Sequence, residues 1–199
     1  MRIMLRHTPV LIMLGFAISV TAQTGLRSVD FKNFTYEPSC APDEMKKITV
    51  KNGSFSQEKQ MEDYIDRFYF EIFNVVLGDL DNDKQEEAIV LSTCNTGGSG
   101  NFTEGFVYKS VSGRPILSER IEGGDRAYGG LKSAKVVDGS LIVERYNPGE
   151  HGASCCPELI LTSKYKMTNG KLAEVGQQLR KTYIRLSVLR LQKEPPGRR

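Results

Sequence analysis

The sequence predicts an all-β, mostly antiparallel single domain, built as a curved sheet, a sandwich or an open barrel of hairpins. Three observations carry this expectation. Apolar and polar residues alternate with period two over much of the chain, which is the pattern of half-buried strands. Turn dipeptides, Asn52-Gly53, Ser112-Gly113, Asp138-Gly139 and Asn169-Gly170, recur between those segments. No segment before residue 171 sustains a helical 3.6-residue period, and 199 residues fall short of the ~250 at which a chain usually divides into separate cores.

The elements follow in order. Residues 29–36 (VDFKNFTY) alternate as a strand with one slip between Phe31 and Phe34. Residues 47–50 and 54–57 flank Asn52-Gly53 and read as a hairpin, because Asn-Gly accepts the positive φ angles of a type I′ turn. Residues 56–64 have room for one short turn of helix. Residues 67–77 (RFYFEIFNVVL) are so dense in aromatic and β-branched side chains that they predict a central strand buried on both faces. Further strands are expected at 87–93, 102–110, 115–122, 134–137, 141–146 and 158–167. A last strand is expected at 182–188, with a helix over 171–191 as the weaker option.

The two ends differ from the body. Residues 1–22 place Arg2 and Arg6 before the apolar run PVLIMLGFAISV and then Thr21 and Ala22, the layout of a secretory signal peptide. That run is shorter than the ~20 residues of a membrane-spanning helix. The expected localisation is therefore secreted or periplasmic, with no membrane span in the mature protein. Without residues 1–22, 25 basic side chains face 24 acidic ones, a balance that does not predict nucleic-acid binding. Residues 171–199 nevertheless hold eight Lys or Arg against two Glu. Since Pro195-Pro196-Gly197 cannot continue regular structure, the β domain is expected over 23–190 and a disordered, solvated basic tail over 191–199.

The sharpest chemical feature is the acidic turn Gly78-Asp79-Leu80-Asp81-Asn82-Asp83-Lys84-Gln85-Glu86-Glu87. Counting from Asp79, carboxylates fall at positions 1, 3, 5 and 9, so one loop can wrap oxygens around a hard cation. Calcium takes six to eight oxygens at ~2.3–2.6 Å, which Asp79, Asp81, Asp83, Glu87, the Gln85 carbonyl and water would supply. Position 6, where such loops favour glycine, is Lys84, and position 12 is Val90, so an EF-hand is excluded. The metal-free alternative is an Asx turn in which Asp79 and Asp81 accept backbone N–H groups. Four carboxylates packed without a cation would repel one another, which favours the metal.

The segment FNVVLGDLDNDKQEEAIVL resembles the calcium-loop hairpin of FG-GAP and VCBS repeats over about twenty residues. A single copy occurs, whereas a closed propeller needs at least ~4 blades, so no propeller is implied. VDFKNFTY, GDLDNDKQEEAIVL, CNTGGSGNFTEGFVY, GGDRAYGGL and CCPE together resemble a group of uncharacterised secreted bacterial proteins. That resemblance implies a secreted single-domain β module and no particular reaction.

Cys40, Cys94, Cys155 and Cys156 are expected to be oxidised in an exported chain. Either Cys155 bonds to Cys156 and Cys40 to Cys94, or each of the adjacent pair takes one distant partner. The Cys40 and Cys94 pairing is preferred, because both lie just beyond predicted strands. Zinc is disfavoured by the lack of a CxxC spacing. His151, in the loop NPGEHGASCCP, is the only histidine after residue 22. A Cys and His nucleophilic pair there would require a thiolate that survives oxidation. Gly98, Asn101, Asp125, Arg126 and His151 form a candidate ligand set on Gly-rich loops, although wide turns are the commoner use of such segments. No GxSxG, HExxH or phosphate-binding glycine motif is present.

The function expected is a non-catalytic module of the cell envelope, binding an envelope protein or a glycan, with calcium as its cofactor. The rival expectation is an extracytoplasmic hydrolase built on Glu104, Asp125, Arg126 and His151.

Overall fold

The computed structural model describes residues 25–176 and 179–182, so the expected signal segment and the basic tail lie outside the described residues. Within them the chain is all-β, and every strand pairing is antiparallel. A two-stranded ribbon joins β1 (Thr35–Tyr36) to β2 (Ile48–Thr49). A five-stranded meander runs β3 (Ser54–Gln60), β4 (Ile65–Gly78), β5 (Glu87–Asn95), β6 (Phe102–Val111) and β7 (Arg114–Asp125). The second sheet orders β8 (Leu131–Val137), β9 (Ser140–Asn147), β10 (Leu159–Thr168) and β11 (Lys171–Glu174). β12 (Leu179–Thr182) pairs with the first half of β10, beside the half that β11 occupies.

The turn dipeptides fix these hairpins. Ser112-Gly113, Asp138-Gly139 and Asn169-Gly170 all have positive φ at both residues and join β6 to β7, β8 to β9 and β10 to β11 with two-residue connections. Asn52-Gly53 has the same geometry, but only the bridge from Lys51 to Ser54 closes over it. The hairpin expected at 47–57 is thus replaced: β2 turns back to β1, and β3 pairs with β4.

β5 explains the architecture. Its Ala88, Val90 and Cys94 face one core and its Ile89 and Leu91 the other, and all five are buried. On the first side the N-terminal segment lays Leu26, Phe31, Tyr36, Ile48 and Val50 over Phe68, Phe70, Ile72, Phe106 and Tyr108. The rings interlock with centroids 5.3 Å apart for Phe31 and Phe34 and for Tyr36 and Phe106. On the second side Leu131, Ala134, Leu141, Val143 and Met167 of the second sheet cover Ile89, Leu91, Val107 and Ile121.

Three further expectations are corrected. Residues 29–34 are a turn rather than strand, because the Asp30 carboxylate accepts the Lys32 N–H at 3.0 Å and the Asn33 side-chain amide at 2.7 Å. The slip in the alternation marks that turn. Residues 67–77 are not the doubly buried centre, since β4 is second in the sheet order and Tyr69 and Phe73 are each 39% exposed. The second sheet reaches only the far half of β4, where the Asn74 Oδ1 accepts the Ala134 N–H at 3.0 Å and Gly78 lies against Val136. Residues 56–60 are strand instead of helix. In the 171–191 region the described residues form strands at 171–174 and 179–182, and the remainder of the strand expected at 182–188 lies outside the described residues.

Candidate functional site

The acidic turn connects β4 to β5 and is fixed from both sides. Leu80 is 1% exposed and plugs the core between the sheets, so the carboxylates on either side of it are held at a set depth. Its N–H donates to the Glu87 Oε2 at 2.8 Å. Asn82 and Lys84 have φ of 63° and 69°, the left-handed conformation that tightens the loop. Lys84 thus takes, without being glycine, the conformation that glycine supplies most cheaply. A Cβ on Gly139 would stand 2.9 Å from the Asn82 Oδ1, which places the β8–β9 turn directly against the acidic turn.

Within this frame the ligand atoms of Asp79, Asp81 and Glu87 all lie within 4.8 Å of one another. The Asp79 Oδ2 accepts the Lys84 N–H at 3.0 Å, while its Oδ1 is buried and has no hydrogen-bond partner. The Asp81 Oδ1 accepts the Asp83 N–H at 3.1 Å. Glu87 is 3% exposed, and burial pushes its carboxyl up to about 7. The Leu80 N–H opposes that rise, and the charges of Asp81, Asp83 and Asp79 add to it. Of the four carboxylates expected at a metal, three therefore converge. Asp83 instead accepts the Gln85 N–H at 2.7 Å, and the Gln85 side-chain amide is 3.4 Å from its other oxygen. The Asx turn and the carboxylate cluster, posed as alternatives by the sequence, coexist in one loop. This cluster is one that could hold a metal ion.

Cys40 is bonded to Cys94 with Cα atoms 6.6 Å apart, and Cys155 is bonded to Cys156. The first bridge ties the N-terminal segment to β5. Beside it Glu104 is buried, accepting the Ser39 N–H at 2.9 Å and the Ser39 hydroxyl at 3.0 Å and pairing with Arg120. Arg120 also donates to the Glu37 carbonyl at 2.7 Å and lies over the Phe106 ring. Glu104 is thus committed to a clamp that holds residues 37–39 against the sheet.

The Gly-rich loops close on themselves. The Asn95 side-chain amide reaches the carbonyls of Gly98 at 3.0 Å and Gly100 at 2.6 Å, and its Oδ1 accepts the Gly97 N–H at 2.8 Å. Asp125 accepts the Asn101 N–H at 2.7 Å and pairs with Arg126, and these contacts, the first most of all, hold its carboxyl below the usual range. Gly98, Asn101, Asp125 and Arg126 therefore belong to one loop cluster. His151 lines a separate cleft of about 430 Å³ with Asn147, Gly149, Glu150, Glu158 and Leu159. Neither Glu104, Asp125 nor Arg126 lines that cleft. Sequence reading passed over Glu158 and Asn147, because a carboxylate opening a strand carries no motif. It also missed the Glu104 to Arg120 link, which only the sheet register creates.

No protein-family model, curated protein or solved structure matches the chain. Among the described residues, no helix is long and apolar enough to cross a membrane.

Proposed function

We propose that the protein is a secreted or periplasmic, non-catalytic β module whose acidic turn is stapled by calcium, with a binding or structural role in the cell envelope. Its partner on this reading is an envelope protein or a glycan. The observation that carries the proposal is the convergence of ligand atoms of Asp79, Asp81 and Glu87 within 4.8 Å, in a loop where the buried Asp79 Oδ1 lacks any hydrogen-bond partner. A buried carboxylate oxygen is costly to leave unpaired, and a cation satisfies it together with the two neighbouring charges. Calcium suits the set better than magnesium, since it accepts irregular shells of carboxylate, carbonyl and water oxygens. The likeness of the loop to FG-GAP and VCBS hairpins supports the same choice. The role is structural because the turn that closes the β4–β5 hairpin lies against the β8–β9 turn of the other sheet, so a cation there braces one sheet against the other.

Thermal melting in chelator and in millimolar calcium tests this. Binding to the folded state alone adds about 2.7 kcal/mol at a hundredfold excess over Kd, and Asp79→Asn should abolish the gain. An unchanged melting temperature, with no metal found by elemental analysis, would overturn the proposal.

A further inference from the structure

The bridge between the adjacent Cys155 and Cys156 carries an inference that goes beyond the calcium reading and uses none of the acidic-turn residues. The two disulfides differ in what they hold. Cys40 and Cys94 stand 54 positions apart, and closing so long a loop removes much conformational entropy from the unfolded chain. Cys155 and Cys156 are neighbours, so their bridge closes a ring around one peptide unit and restrains almost nothing of the unfolded chain. Access differs in the same sense. Cys94 is 3% exposed within the first core, and Cys40 is partly buried beside it. The cavity that Cys40 and Cys94 line with Ser39, Ser92 and Glu104 is about 20 Å³, room for one water and not for an attacking thiol. Cys155 and Cys156 are both exposed on the β9–β10 connection.

The ring is also linked to a second loop. The Cys156 N–H donates to the Ala153 carbonyl at 2.8 Å, and a Cβ on Gly152 would press on the carbonyls of Pro148 and Cys156, so residues 148–156 close tightly on themselves. From this loop the Ser154 carbonyl accepts the Ala127 N–H at 3.3 Å. Ala127 is fully buried in the β7–β8 connection.

We propose that Cys155 and Cys156 form a thiol–disulfide exchange site, opened by a dithiol while Cys40–Cys94 stays closed, and that its redox state sets the contact between the β9–β10 and β7–β8 connections. A thiolate of the dithiol attacks one cysteine Sγ and forms a mixed disulfide with it. The Cys155–Cys156 bond breaks, and its electron pair leaves on the other Sγ, which takes up a proton. The second thiolate of the dithiol then attacks its own sulfur in the mixed disulfide, which releases the first cysteine as a thiol and leaves the reductant as an internal disulfide. Two electrons and two protons thus pass from the dithiol to the cysteine pair. Exposed disulfides are the ones that exchange in this way, whereas buried structural bridges resist it. Once the ring is open, Cys155 and Cys156 regain the torsional freedom of an ordinary dipeptide, the turn at 153–156 loosens, and Ser154 is no longer held at Ala127.

The test adds dithiothreitol to the exported, oxidised protein under native conditions, traps thiols with iodoacetamide at timed intervals and assigns them by mass spectrometry. Cys155 and Cys156 are expected to be trapped at least about tenfold faster than Cys40 and Cys94. The trapped two-thiol form should melt within about 2 °C of the oxidised protein. Amide exchange at Ala127 and Cys156 should speed up on reduction, while exchange along β5 stays unchanged. The double variant Cys155→Ser, Cys156→Ser should show the same fast exchange at Ala127 without dithiothreitol, and no further change when it is added. Trapping of Cys40 and Cys94 as fast as Cys155 and Cys156 would overturn the proposal. Unaltered exchange at Ala127 in the reduced protein, or free thiols at Cys155 and Cys156 before treatment, would overturn it as well.

Discussion

Replacing Glu87 by Gln should change the sign of its effect on stability according to whether calcium is present. In the metal-free protein the Glu87 carboxyl is pushed by burial from its ordinary 4.5 to about 7. The folded state therefore holds a proton that the unfolded state releases, so stability falls as pH rises from about 4.5 to about 7 and levels off above that. At ~1.4 kcal/mol per pH unit, the raised carboxyl costs the metal-free fold about 3 kcal/mol at pH 8, where it is ionised, and about 1 kcal/mol at pH 5, where folding takes up its proton. Glutamine carries no charge, and its side-chain carbonyl can still accept the Leu80 N–H that Glu87 now accepts at 2.8 Å. In chelator at pH 8 the Glu87→Gln protein should thus be more stable than wild type by up to about 3 kcal/mol, and this margin should shrink toward pH 5. In calcium at a thousandfold excess over Kd the order should reverse, because the wild type gains about 4.1 kcal/mol, more than its deficit of about 3 kcal/mol, while the variant lacks a charged ligand. Denaturant midpoints of both proteins at pH 5 to 8, with and without calcium, measure the difference directly and cancel the other titrating groups. If Glu87→Gln is the less stable protein in chelator at pH 8, or if calcium raises both proteins equally, the account of a buried carboxylate awaiting a cation is refuted.

Breaking the Cys40 to Cys94 bridge by a double Ser substitution should cost about 4 kcal/mol, since it frees a loop spanning 54 residues, and a shifted denaturant midpoint would show it. Free-thiol titration of the denatured, unreduced protein should find essentially none, because all four cysteines are paired. Gly123→Ala should cost more than about 2 kcal/mol, as its Cβ would stand 2.3 Å from the Thr103 carbonyl, whereas Gly98→Ala, with open space around it, should stay within about 0.5 kcal/mol by thermal melting.

Much of the strand list could be read from the chain because period-two alternation and Asn-Gly-type turns are local properties. Residues 112–113, 138–139 and 169–170 announce their hairpins because few dipeptides accept two positive φ angles in succession. The acidic turn was legible for a similar reason, since carboxylates at alternate positions of one short loop need no distant partner to approach one another. Pairing across long separations was not legible. The segment at 47–57 has the turn of a hairpin, yet Ile48 and Thr49 find better partners in Tyr36 and Thr35, because that ribbon buries Tyr36 and Ile48 against the central sheet. Likewise the aromatic density of residues 67–77 suggested a central strand, although Tyr69 and Phe73 remain exposed where the second sheet stops short.

By itself, then, the sequence determined the all-β class, most of the strands and turns, and the position of the acidic loop, all of which follow from side-chain period and backbone preference within a few residues. Only the tertiary structure decided which strand is central, that Cys40 meets Cys94, and that Glu104 is spent on a clamp with Ser39 and Arg120. It also decided that Asp79, Asp81 and Glu87 converge while Asp83 turns to Gln85, and that His151 and Glu158 line a cleft that Asp125 does not. The reason is that these outcomes depend on sheet register and on which faces are covered. Both are settled by burying two cores around β5 at once, a condition that no single segment of the chain encodes.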